Sequence, residues 1–124
     1  MSTPGSLALF GLAGLCVLAA GCEAPPNPPG VSGDAERGRT LLSQYGCGTC
    51  HSIPGVRSAN ANVGPPLKGV ANRVYLAGVL TNTPTNMVRW IRAPQDVDPR
   101  TAMPNMNVTE AHAQDIAAYL YRLK

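Results

Sequence analysis

A chain of 124 residues leaves room for one domain at most, and its single Phe, single Trp and four Tyr make aromatic packing thin. A core this small needs reinforcement from a metal, disulfides or a large cofactor. The formal charge is +3, but the ten basic residues are scattered singly between Arg37 and Lys124, so nucleic-acid binding has little support.

Charged residues make up only 14% of the chain, as expected when an apolar leader dilutes the count. That leader runs from Leu7 to Ala20 without a charge. At about fourteen residues it is shorter than the roughly 20 that span a bilayer. It ends in Leu18-Ala19-Ala20-Gly21-Cys22, which resembles the lipobox of bacterial lipoproteins, although no Lys or Arg precedes the run. The resemblance implies a signal peptide at 1–21 and acylation of the new N-terminus at Cys22. Several acyl chains would give lasting attachment at the periplasmic face of a membrane, each buried methylene contributing roughly 0.8 kcal/mol. An ordinary cleaved signal, leaving a soluble periplasmic protein with Cys22 incidental, or an uncleaved anchor would export the chain as well.

After Cys22 the composition changes abruptly. Pro25, Pro26, Pro28, Pro29 and Gly30 exclude helix and sheet alike, which predicts a semi-rigid, extended linker over 22–32 that holds the domain off the membrane. The domain proper is then 33–124. Its first helix is capped by Asp34 and runs to about Tyr45, with Leu41 and Leu42 as its apolar stripe and Glu36 complementing the helix dipole. Gly38 interrupts it at a cost of about 1 kcal/mol against alanine, which points to close approach by another backbone or ring. Ser52 to Pro66 shows no periodicity, and a short helix is expected around Ala71 to Leu76. Thr83 then caps a helix with Pro84 at its first position and Met87, Val88, Trp90 and Ile91 on its buried side, ending before Pro94. Thr109 caps the last helix, in which Ala113, Ile116, Ala117, Leu120 and Leu123 recur at helical spacing. No segment shows strand alternation.

The chemistry lies at Cys47-Gly48-Thr49-Cys50-His51. Two thiols three residues apart on one helical turn reach the two vinyl groups of a haem, and the next residue places His51 under the iron. A redox disulfide or half of a zinc site uses the same CxxC. Cysteine arithmetic argues against both, because Cys16 falls in the leader and Cys22 at the lipidation site, leaving no second pair in the domain.

Further motifs follow in order: Gly38, Gly64-Pro65-Pro66-Leu67-x-Gly69, Trp90-Ile91-x-x-Pro94, Met103-Pro104 and Tyr119-Leu120. With the haem motif they make residues 33–124 resemble the class I cytochromes c. The resemblance implies an all-α fold, about four helices and long loops wrapped around one haem c covalently bound through Cys47 and Cys50. It also implies that Gly38 and Tyr119 sit where the first and last helices cross. Pro65 would accept a hydrogen bond from His51 Nδ1, Arg73 would neutralise a haem propionate, and Trp90 would line the haem pocket. Leu42 stands where the family usually has an aromatic.

For the sixth iron ligand, Met103, Met106, Met87 and His112 are candidates. Family spacing from Pro94 and the following Pro104 favour Met103. Met106 is its rival, Met87 belongs to a helix interior, and His112 is expected to face solvent. Histidine with methionine fills both axial positions, which raises the reduction potential and closes the iron to substrates. The expectation is a single-electron carrier and not an enzyme, working between a quinol-oxidising complex and a terminal oxidase. The alternative is the haem subunit of a periplasmic oxidoreductase, or a haem enzyme with labile Met103 ligation. An enzyme needs a distal acid or base, and His112 is the only free histidine.

Overall fold

The computed structural model describes residues 1–2 and 25–124, so the apolar leader, Cys16 and the acylation site at Cys22 lie outside the described residues. Helix α1 spans Ala35–Gln44. The Asp34 carboxylate starts it by accepting from the amides of Glu36 and Arg37 at 2.9 and 3.0 Å, which satisfies two of the donors every helix start leaves open. Gly46, with φ +71°, ends it by turning the chain through the left-handed region. Helix α2 spans Pro84–Arg92 behind a Thr83 cap, and the short α3 spans Pro94–Val97. The last helix, α4, spans Glu110–Leu120 behind Thr109.

Helices α1 and α4 cross at the centre of the molecule. A Cβ on Gly38 would overlap the Asp115 carbonyl and the Ile116 amide nitrogen, so only a glycine lets the two backbones come this close. Tyr119 sits one turn beyond Asp115, and its hydroxyl reaches the Pro54 carbonyl at 2.7 Å. The core gathers around the crossing, with Leu42, Met87 and Ile116 each at most 2% exposed.

The expected helix over Ala71 to Leu76 is replaced by a single 3-10 turn, Val70–Asn72, and a small antiparallel hairpin of β1 (Tyr75–Leu76) and β2 (Leu80–Thr81). Ala77 and Gly78 both have positive φ, +50° and +75°, so the Leu76-to-Val79 turn has the backbone hand that suits a hairpin. A single alternation, Tyr75 exposed and Leu76 buried, is too short to show in the sequence as a strand.

The proline-rich segment also departs from expectation. Residues 25–33 lie on the domain: Val31 packs against the core, Gly33 presses on the Gln114 backbone, and Arg122 donates to the Pro25 carbonyl at 3.2 Å. A spacer standing free of the domain is therefore confined to residues before Pro25.

Asp115, 1% exposed, ties the crossing electrostatically. Its Oδ1 accepts from the Asp34 amide at 2.7 Å and its two oxygens take Arg37 at 2.5 and 2.8 Å. Burial alone would push the Asp115 carboxyl up from its ordinary 3.8, but the Arg37 side chain, the Asp34 amide and the charges of Arg37 and His112 together hold it lower. A carboxyl depressed in the folded state stabilises fully above the ordinary carboxylate range and loses that contribution as the pH falls through its folded value. Asp115→Asn is expected to lower the urea midpoint at neutral pH, with the gap closing as the pH falls below the ordinary carboxylate range, as paired urea titrations will read.

Candidate functional site

The site begins where α1 stops. Gly46 delivers the chain into a 3-10 turn, Cys47–Thr49, in which the amides of Cys50 and His51 both donate to the Cys47 carbonyl at 3.3 and 3.0 Å. One turn thereby carries both thiols and the imidazole. Cys47 and Cys50 are free thiols, both half-buried. Burial pushes the Cys47 thiol up, with the neighbouring Cys50 adding to the effect. Among the described residues no three His, Cys, Asp or Glu side chains converge in a way that would hold a metal ion.

Two glycines let the turn sit where it does. A Cβ on Gly48 would stand 2.8 Å from Ala59 Cβ, and one on Gly64 would stand 2.6 Å from His51 Cε1. The Gly64 amide also donates to the Cys50 carbonyl at 2.8 Å, so the Gly64–Pro65 backbone lies flat along the imidazole. His51 Nδ1 is 2.7 Å from the Pro65 carbonyl. A carbonyl only accepts, so Nδ1 carries the proton and Nε2 keeps its lone pair for another partner.

This arrangement fits a covalently held haem: two unpaired thiols on one turn, a histidine with one nitrogen oriented and the other free, and a cradle that a single added carbon would fill. Haem brings a redox iron. The residues named here would hold and orient it.

Arg73 has a further role that its resemblance does not suggest. Its guanidinium donates to the Pro66 carbonyl and lies 3.5 Å from that of Lys68, so it braces the loop beside His51. Trp90 is half-buried and shares one helix face with Met87 and Ile91.

Met103 and Met106 part company in their surroundings. The Met103 main chain is held at both ends, its amide by Thr101 Oγ1 at 3.2 Å and its carbonyl by Gln95 Nε2 at 2.6 Å, with the residue half-buried. Met106 is exposed and stands in a turn closed by the Asn105 side chain on the Asn107 amide at 2.8 Å. Met87 is 2% exposed inside the core. His112 is not directed freely to solvent as its sequence position suggests, because Tyr45 Oη lies 2.8 Å from its Nδ1 and the rings meet edge to face at 5.8 Å.

Gln95, Asn82 and Tyr45 carry contacts around the site that the motifs do not reveal. Their one visible signal is a polar or aromatic residue beside a turn or helix end, which most chains show many times.

The family model described as cytochrome c matches residues 35–124. Among solved structures, cytochrome c2 from Rhodobacter sphaeroides superposes with a TM-score of 0.56 at 25% identity, covering 74% of this chain and 97% of that one. Cytochrome c oxidase subunit 2 of Bacillus sp. (strain PS3) is 28% identical over 94 residues, 73% of this chain. The chain spans only 26% of that protein's length.

Gly64→Ala tests the cradle. The added methyl collides with the His51 ring, so haem retained per chain and the share of low-spin iron are both expected to fall, as read by the alkaline pyridine spectrum and the visible bands.

Proposed function

Since the chain belongs to the cytochrome c family, an electron-transfer protein with covalently bound haem c and not an enzyme, we propose that it is a membrane-tethered carrier of single electrons whose iron is held by His51 and Met103. The observation that carries this reading is the hydrogen bond from His51 Nδ1 to Pro65. It fixes the ring tautomer, leaves Nε2 free on the turn that bears both thiols, and makes the imidazole a stronger donor.

Met103 is the sixth ligand on this reading. Its main chain is anchored through Thr101 and Gln95, which restricts where the thioether can go, whereas Met106 sits on an exposed turn. Two strong axial ligands leave no position for a substrate, so the protein's part is to set the potential and present an edge to partners. Arg73 remains a candidate to neutralise a propionate with the guanidinium nitrogens that Pro66 and Lys68 do not occupy, and Trp90 to line the pocket.

The likeness to an oxidase subunit supports a terminal oxidase as acceptor, with a quinol-oxidising complex as donor. Surface charge agrees with an acidic docking partner. Among the described residues, the five cations Arg57, Lys68, Arg73, Arg89 and Lys124 stand outside every ion pair, against two acids, Asp34 and Asp96, while Glu36, Asp98, Glu110 and Asp115 are each paired. Unpaired cations steer an acidic partner into a transient complex. The division of the chain into a signal at 1–21, a lipid-bearing segment from Cys22 and a domain from Gly33 belongs to the same proposal. With the strap from Pro25 onward lying on the domain, only Glu23 and Ala24 separate an acylated Cys22 from the folded body, which sets the domain close to the membrane.

Visible spectroscopy tests the ligands. The weak far-red band of iron bound to thioether sulfur is expected in the parent and in Met106→Ala, and absent from Met103→Ala, which should also bind carbon monoxide when reduced. Carbon monoxide binding by the reduced parent would sink the closed-iron reading. Cell fractionation with the intact mass of the mature chain tests the tether: a diacylated or triacylated Cys22 in the membrane fraction is expected, and a soluble unmodified chain refutes it. Co-purification in mild detergent separates a shuttle, which leaves its oxidase, from a resident subunit, which stays.

A further inference from the structure

Pro65 and Pro66 have no N–H, so the stretch that meets His51 offers carbonyls only and cannot brace itself. Its donors come from elsewhere. The Pro65 carbonyl takes His51, the Pro66 carbonyl takes Arg73, and the chain beyond is hung by the Leu67 amide on the Ser52 carbonyl at 2.8 Å. The position of the Arg73 backbone therefore decides how firmly the loop is held.

That backbone is fixed by one side chain. Asn82 Nδ2 donates to the carbonyls of Val70 and Arg73 at 2.9 and 2.8 Å, closing the turn Val70–Arg73 from outside. The Asn82 amide donates to the Val74 carbonyl at 2.9 Å. An amide group placed the other way round would present its oxygen to two carbonyls. Tyr121 prevents this, because its hydroxyl, on a residue 8% exposed, donates to Asn82 Oδ1 at 2.7 Å and so identifies the oxygen end. The Leu123 carbonyl adds a bond from the Ala71 amide at 3.1 Å.

We propose that Asn82, oriented by Tyr121, is a positioning residue for the proximal histidine: it carries the rigidity of the C-terminal helix through the Val70–Arg73 turn and the Arg73 guanidinium to the Pro65 carbonyl that holds His51. The inference rests on His51 being an iron ligand. Donation by the imidazole follows the strength of its Nδ1–H bond, and ligand donation tunes the potential. Loosening the loop weakens that bond, lowers donation and moves the potential upward.

The experiment uses the haem-loaded full chain. In the oxidised parent the His51 Nδ1 proton should appear in the proton spectrum displaced by the paramagnetic iron and exchange slowly with water. In Asn82→Ala its exchange should quicken about tenfold, as expected when local opening becomes easier by roughly one hydrogen bond, and the reduction potential should rise. Tyr121→Phe, which removes one hydroxyl, should shift both in the same direction by less, and it carries the test where Asn82→Ala does not fold. Asn82→Asp keeps the acceptor for Tyr121 but loses both donors, so it should resemble the alanine variant. Ile116→Val, trimming the helix crossing away from this network, should lower the unfolding midpoint and leave both readouts alone. A Tyr121→Phe protein with lower stability, parental potential and parental proton exchange overturns the proposal, since that is what a purely structural role produces. A parent whose His51 ring proton is not displaced overturns the ligation reading itself and the proposal with it.

Discussion

The absence of a side chain at Gly38 is the constraint on which the rest of this structure depends. It lets the α1 and α4 backbones touch at Asp115 and Ile116, and that contact fixes the two ends of the domain against one another. Asp115 then serves three neighbours from one buried position, the Asp34 amide and two nitrogens of Arg37. A buried carboxylate is costly unless paired, and this one is paired on both oxygens. The crossing also places α4 so that its last turns reach outward: Tyr119 to the Pro54 loop, Tyr121 to Asn82, and the Leu123 carbonyl to Ala71.

Everything on the His51 side hangs from those reaches. Between Ser52 and Pro66 the chain has no regular structure, and its shape is held by a few bonds, among them Ile53 to Ala59 and Gly64 to Cys50. The prolines make this segment stiff and rich in acceptors, while Arg73 and His51 provide donors. A loop so built keeps a carbonyl aimed at the imidazole without needing a helix or sheet behind it. The opposite loop follows similar logic with other residues, since Gln95 and Thr101 hold the Met103 backbone and leave its side chain as the variable part.

Charge is partitioned in a way that suits a carrier. Glu36, Asp98 and Glu110 pair with Arg39, Arg92, Arg100 and Arg122 at the surface, and such exposed pairs add little stability, about 0–1 kcal/mol each. Their larger effect is on the field. Negative charge is neutralised locally and the cations left over are free to act at a distance, a term that salt screens. The strap from Pro25 to Gly33 adds a geometric condition, because a segment packed on the domain samples a narrower range of orientations than a long free linker.

Features that depend on near neighbours in the chain were legible from the amino-acid order alone. The three caps Asp34, Thr83 and Thr109 each bond to an amide two or three residues on, and the CxxCH spacing brings its groups onto one turn by local geometry. Gly38 likewise announced a close approach, since a helix interior has no other use for it. Which backbone it would approach, that of Asp115 and Ile116, was not legible. The hairpin at Tyr75–Thr81, the strap on the domain, the Tyr45–His112 pair and the Asn82–Tyr121 bond were equally hidden. In most of these the partners lie far apart along the chain, and the Tyr45–His112 contact in particular spans from the end of α1 to α4. Local chain geometry determined which groups this protein owns and how its helices begin; the helix crossing, an interaction between distant backbones, decided which of those groups meet.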